Sequence, residues 1–200
     1  VITVPYLAIE SFQAADDYYT SSFYSSFMRV LRILCYFMAV SLPGLFVALI
    51  AFHSYMLPTE LVMSFISARQ GVPFPSIIEC SALLFAFEIL RETALRVPES
   101  IGQPLSIVGA LVLGDAAISA RYTSAPMLIA VAVSCLAGLM VQNTKNSILF
   151  YRLLFLVFSS VLGAYGFLLA LFIMIAHLFS LKSFGTDYFS YSPFSSPLKN

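Results

Sequence analysis

Charge is what this chain has least of. Asp, Glu, Lys and Arg make up 10% of its 200 residues, against about 25% in soluble domains, while 60% are hydrophobic, against roughly 45 to 50%. A soluble fold of this size would lack charged surface. The 10 basic and 10 acidic residues cancel and no basic run occurs, so no bulk attraction to nucleic acid or acidic lipid is implied. Cysteine is nearly as scarce. Cys35, Cys80 and Cys135 are odd in number, far apart and set in apolar stretches, so they form neither a disulfide framework nor a metal-ligand spacing and read as small buried hydrophobes. Catalytic signatures are missing too: there is no GxSxG, phosphate-binding glycine loop or dinucleotide fingerprint, and His53 and His177 lie outside any HExxH pattern. The chain is therefore expected to be no enzyme, with no cofactor and no metal. It starts at Val1 without a basic, apolar, small-residue leader, so a fragment without a signal peptide is expected.

What is present is a series of apolar runs. Ile33 to Phe52 is uncharged for the about 20 residues needed to cross hydrocarbon, follows Arg29 and Arg32, and holds a Pro43-Gly44 pair that should kink it. Pro58, Gly71, Pro73 and Pro75 punctuate a connection with one short amphipathic helix at Thr59 to Arg69, for which Thr59 is a candidate cap. Ser76 to Val97 spans only if Glu79, Glu88, Arg91, Glu92 and Arg96 face protein or water. Pro104 to Ala120, Tyr122 to Thr144 and Leu153 to Ala176 give three further spans. The expected fold is all-α, a polytopic membrane bundle of four to five transmembrane helices. Residues 1–28 would be a juxtamembrane connector, 29–182 the transmembrane domain and 183–200 a polar, broken tail. In a five-span count Arg29, Arg32, Arg91, Arg96, Lys145 and Arg152 share one side, which the positive-inside rule makes cytoplasmic. No internal repeat supports an inverted-repeat transporter.

Small residues mark Pro104 to Arg121, where Ser106, Ala110 and Gly114 recur every four residues and Gly109, Leu113 and Ala117 do so alongside. Such stripes permit close helix packing, and packing is the more economical reading of the pattern by itself. A pore lining is the sharper one. Asp115 stands amid this uncharged helix and must face water, a partner, a cation or a basic group such as Arg121, because a carboxylate at mid-bilayer costs about 2.5 to 3.5 kcal/mol. Glu88 with Arg91 and Glu92 with Arg96 have the spacing of self-neutralising helix pairs. Glu79 has no such local partner and is expected to pair with Arg69 or a neighbouring subunit.

The run LPGLFVALIAFHSYMLPTELVMSFISARQGVPFPSIIE, Leu42 to Glu79, resembles the membrane domain of GerA-type spore germination receptor A subunits, with ARQGVPFP especially specific. The likeness continues through FEILRETALRVPESIGQPLSIVGALVLGDAAI, Phe87 to Ile118, and closes on HLFSLKSFGTDYFSYSPF, His177 to Phe194. FQAADDYYTSSFYSSFMRVLR, Phe12 to Arg32, is similar to the family's connector from a soluble amino-terminal region, which is expected to be missing from a fragment of this kind. Asp187 and Asp115 depart from the commoner residues of the pattern.

The resemblance implies a pentamer-like ring of A subunits enclosing a nutrient-gated cation channel in the inner spore membrane. It also implies a transporter-like B subunit and a lipoprotein C subunit as partners. On that implication Ile107, Ala110, Leu113, Gly114 and Ala117 would line the pore and Asp115 would influence ion selectivity. The alternatives are a non-conducting scaffold subunit, and a solute carrier using Glu79, Glu88 and Asp115.

Overall fold

A computed structural model describes residues 11–13, 19, 21–96, 109, 111–141, 144–183 and 186–187. These residues are helical apart from short turns and a hairpin of two two-residue strands. Helix α1 is Ser22–Phe52, followed by a 3-10 turn at Ser54–Met56, then α2, Thr59–Arg69, and α3, Ser76–Arg96. Residues 111–119 are helical and are called α4. Helices α5, Ala125–Leu139, α6, Lys145–Leu162, and α7, Ala164–Ser180, follow, and β1, Lys182–Ser183, pairs antiparallel with β2, Thr186–Asp187.

The centre of the bundle is α1. At 31 residues it would be about 46 Å long at about 1.5 Å per residue, and it is the one described helix both long and apolar enough to cross a membrane. It runs unbroken through Pro43, whose missing N–H leaves the Ala39 carbonyl without its helical donor. Two side chains from other helices take that carbonyl: Ser134 Oγ donates to it at 2.8 Å and Arg152 Nε at 2.9 Å. One turn further on, Gly44 lets α6 approach so closely that a Cβ there would stand 3.0 Å from the Phe155 carbonyl carbon and oxygen.

The directions of the helices follow from who meets whom. Gly44 meets Phe155 and Phe52 meets Gly163, so α1 and α6 run parallel. Ala39 meets Ser134 while Val47 packs with Met127, so α5 runs against them. In α3, Glu79 meets Ser124 while Phe87 packs against the cluster holding Cys135, so α3 runs with α5.

The expected single span from Leu153 to Ala176 is overturned. Gly163, at φ +62°, ends α6 and starts α7, and a Cβ there would press on Phe52 and His53 at 2.9 and 3.0 Å. The two helices fold back into a hairpin in which Phe155 meets Phe167, with ring centroids 5.2 Å apart, and Tyr151 Oη lies 2.6 Å from His177 Nδ1. Arg152 is accordingly not a flanking charge at the mouth of a span but a buried group within α6. The residue that ends the hairpin, Lys182, returns to the end of the bundle where α6 begins.

Most other boundaries agree with the apolar pattern. Helix α2 occupies Thr59–Arg69 as expected, with Pro58 rather than Thr59 in the cap position. Helix α1 begins at Ser22, so residue 28 lies inside it. Before it, Phe12 packs edge-on against Tyr36 at 5.7 Å and its carbonyl accepts from Arg32 Nη1 at 3.0 Å.

Candidate functional site

Helix α4 carries Leu113, Gly114 and Ala117 of the residues singled out for a pore, with Asp115. Ile107 and Ala110 lie outside the described residues. Gly114 is buried, and a Cβ there would touch Leu128 of α5 at 3.4 Å, while one on Gly109 would meet Leu90 of α3 at 3.0 Å. Ala117 is half-buried on the same face, and Leu113, 38% exposed, sits at its edge. The opposite face, with Val112, Asp115, Ala116 and Ser119, is exposed. Asp115 makes no ion pair among the described residues. Arg121 is turned away toward Gly71, with Nη1 standing 2.7 Å from where a Gly71 Cβ would be.

The charged residues of α3 separate into two groups. Near its C-terminus Glu88 pairs with Arg91, and Glu92 Oε1 accepts from Arg96 Nε at 2.9 Å and Nη2 at 2.8 Å. Both pairs lie within one helix and neutralise themselves. Near its N-terminus Glu79 instead joins three elements. Its Oε1 accepts from the Ser124 N–H at 2.6 Å, Ser124 Oγ at 2.7 Å and Thr123 Oγ1 at 3.0 Å, and its Oε2 faces Arg69 Nη2 at 3.6 Å. The Glu79 side chain is wholly buried.

The local sequence explains this cluster. Arg69 ends α2 and turns back, donating from Nη1 to Ser76 Oγ at 2.7 Å and from Nη2 to the Phe74 carbonyl at 3.4 Å. The Gly71 turn, at φ +89°, and the prolines at 73 and 75 bring it round to the start of α3. Ser124 precedes α5 in the N-cap position, yet its hydroxyl serves Glu79 rather than its own helix. The carboxylate thus sits at the N-terminus of α5, where the helix dipole favours negative charge. Phe74 stacks on Tyr122, with centroids 6.1 Å apart and 17° between planes, and covers the connection.

Sequence reasoning named the Arg69–Glu79 pair but not its hydroxyl donors, which lie more than 40 positions away. It missed the role of Arg152 altogether. That guanidinium, 5% exposed, holds Ala39 O, donates from Nη2 to Ser134 O at 3.2 Å and lies 3.8 Å from Cys135 Sγ through Nη1. The available signal was Pro43, since a proline inside a helix announces an unpartnered carbonyl four residues earlier. Among the described residues no three His, Cys, Asp or Glu side chains gather as metal ligands, and the three cysteines are free.

Comparison with known proteins matches residues 1–199 to the family model described as Bacillus/Clostridium GerA spore germination protein. Spore germination protein KA of Bacillus subtilis is 39% identical over 199 residues, 98% of this chain and 37% of the relative. The uncharacterized membrane protein YfkQ of the same organism is 41% identical over 97% of this chain and 38% of its own length. Spore germination protein A1 is 37% identical over 100% of the chain and 42% of its own length. The chain thus spans about two fifths of the length of these relatives. No solved structure matches it.

Proposed function

The chain belongs to the GerA family of spore germination proteins, and from that premise we propose that it is the membrane domain of a germination receptor A subunit. The observation that carries the proposal is the family match over essentially the whole chain, joined to a bundle with a hydrocarbon-like exterior. Side chains such as Phe85, Val161 and Phe172 each stand 69% exposed. In water that surface would aggregate, whereas in a bilayer it is solvated. Residues 29–182 form the membrane domain in this reading, with residues 1–28 leading in and 183–200 as the tail.

The helices cross in alternation: α1 one way, α3 back, α4 forward, α5 back, and the α6–α7 hairpin out and back. Several of these subunits assemble as a ring in the inner spore membrane, with the transporter-like B and lipoprotein C subunits, and conduct cations when nutrient binds the complex. The side of α4 carrying Gly114 and Ala117 packs into its own bundle, so the surface left for a pore axis is that of Val112, Asp115, Ala116 and Ser119. A ring of Asp115 carboxylates would favour cations.

Potassium flux from liposomes holding the purified full-length protein tests this assignment. Asp115→Asn should lower the preference for potassium over chloride severalfold, and Ala116→Phe should reduce flux with assembly intact. An assembled, inserted protein that conducts nothing would favour the second reading, a non-conducting scaffold. Gly109 and Gly114 lend weight to that reading, because contacts with Leu90 and Leu128 account for both without a pore.

A further inference from the structure

Where α1 stops, a cleft of about 380 Å3 opens between its last turn, the 3-10 turn and α2, within the size range of small-ligand sites. Its walls are mainly apolar, with Ile50, Val62, Phe65 and Ile66, and its polar groups are Ser54 and Arg69. Helix α2 has no fully buried residue, and Val62, Phe65 and Arg69, which line the cleft, are half-buried.

A second guanidinium reaches the Gly71 turn beyond Arg69 at a conformational cost. The N–H of Tyr122 donates to Ala117 O at 2.9 Å and that of Arg121 to Ile118 O at 2.9 Å, the helix ending that requires a left-handed residue and is normally glycine. Here it is Arg121, at φ +56°, the one non-glycine of positive φ among the described residues. Strained backbone of this kind is concentrated at active sites and ligand clamps. The Arg121 guanidinium lies against Gly71, two residues beyond Arg69. Arg69 is offset by Glu79 at 3.6 Å, but Arg121 is exposed and has no carboxylate within ion-pair reach among the described residues. Glu60, the other acid of this region, comes two residues before Val62, which on a helix of about 3.6 residues per turn puts it on the far side of α2 from the cleft. The Gly71 turn, which follows the cleft-lining Arg69, therefore carries an uncompensated positive charge.

We propose that the cleft and Arg121 form a binding site for an anionic phospholipid of the surrounding leaflet. One acyl chain lies between the end of α1 and α2, and the phosphate accepts hydrogen bonds from Arg121. The site rests on the membrane reading above. It also gives a reason for a non-glycine residue at a glycine position, since glycine would satisfy the backbone and lose the charge.

The test is native mass spectrometry of the full-length protein released from micelles containing phosphatidylglycerol or phosphatidylcholine of matched chains. The wild type should retain phosphatidylglycerol at severalfold higher occupancy. Arg121→Gly should bring it down to the phosphatidylcholine level with no loss of thermal stability, because glycine suits that backbone. Val62→Trp, which fills the cleft, should lower occupancy of both lipids. Equal retention of the two lipids by the wild type, or an unchanged preference in Arg121→Gly, overturns the proposal. Displacement of phosphatidylglycerol by excess inorganic phosphate also overturns it, since the site would then belong to a soluble anion. A protein that inserts into phosphatidylcholine nanodiscs yet shows no preference sinks this site alone, whereas failure to insert sinks the membrane reading with it.

Discussion

Two buried charges are handled in opposite ways. Glu79 has an ionic partner and three hydrogen-bond donors, whereas Arg152 is held by carbonyls and a thiol, with no carboxylate in ion-pair contact among the described residues. Removing one member of a buried pair typically costs about 3 to 5 kcal/mol, because the other charge is left uncompensated. Arg69→Leu should therefore lower the unfolding temperature in detergent clearly, while Arg69→Leu combined with Glu79→Gln should recover a large part of the loss. Absence of recovery would mean that the hydroxyl contacts, not the pair, hold the corner. For Arg152 the logic runs through Pro43. Arg152→Met should destabilise by about 2 kcal/mol, the order expected for losing a charged donor's hydrogen bond, since Ser134 Oγ still serves the Ala39 carbonyl. In a Pro43→Ala background, where residue 43 regains an N–H for the Ala39 carbonyl, the same change should cost less, and equal costs in a double-mutant cycle would refute the link. The Arg69–Glu79 pair was legible because the two residues are 10 apart and Glu79 has no nearer base. The Ala39–Arg152 contact was not, because 113 residues separate its partners.

At the scale of elements, helix positions were legible and reversals were not. The apolar run from Leu153 to Ala176 satisfies the length of one span, and hydropathy carries no information on direction. A single residue makes the difference. Gly163 holds φ +62° with Phe52 and His53 packed against it, so an added methyl meets both backbone strain and a clash. Backbone at φ +62° and ψ −134° costs roughly 1 to 3 kcal/mol in a residue with a Cβ. Gly163→Ala should lower thermal stability by at least about that amount, measured against Gly109→Ala, whose neighbour is the flexible tip of Leu90. Comparable losses for the two would argue against a tight hairpin. Helix α4 shows the complementary case: its small-residue spacing was plain in the sequence, but which face packs inward depended on Leu90 and Leu128, which no periodicity within α4 reveals.

For the molecule as a whole, the hairpin alters the sidedness. With Leu153 to Ala176 as one span, Lys182 would emerge opposite Lys145, but the contact of Tyr151 with His177 returns the chain to the end where α6 starts. Basic residues then divide unevenly between the two ends. Arg29, Arg32, Arg91, Arg96, Lys145 and Lys182 lie toward one, and Arg69 and Arg121 toward the other. Lys and Arg near span ends set orientation, so under the proposed membrane reading the richer end would face the cytoplasm. In full-length protein with its native cysteines replaced, Lys145→Cys and Lys182→Cys should be shielded together from an impermeant maleimide in sealed right-side-out vesicles. Glu60→Cys, on α2 at the other end, should be labelled. Labelling of Lys182→Cys with Lys145→Cys shielded would restore the single span and unmake the hairpin. Labelling of both, with Glu60→Cys shielded, would keep the hairpin and reverse the orientation, moving the lipid cleft to the cytoplasmic leaflet while leaving its geometry unchanged.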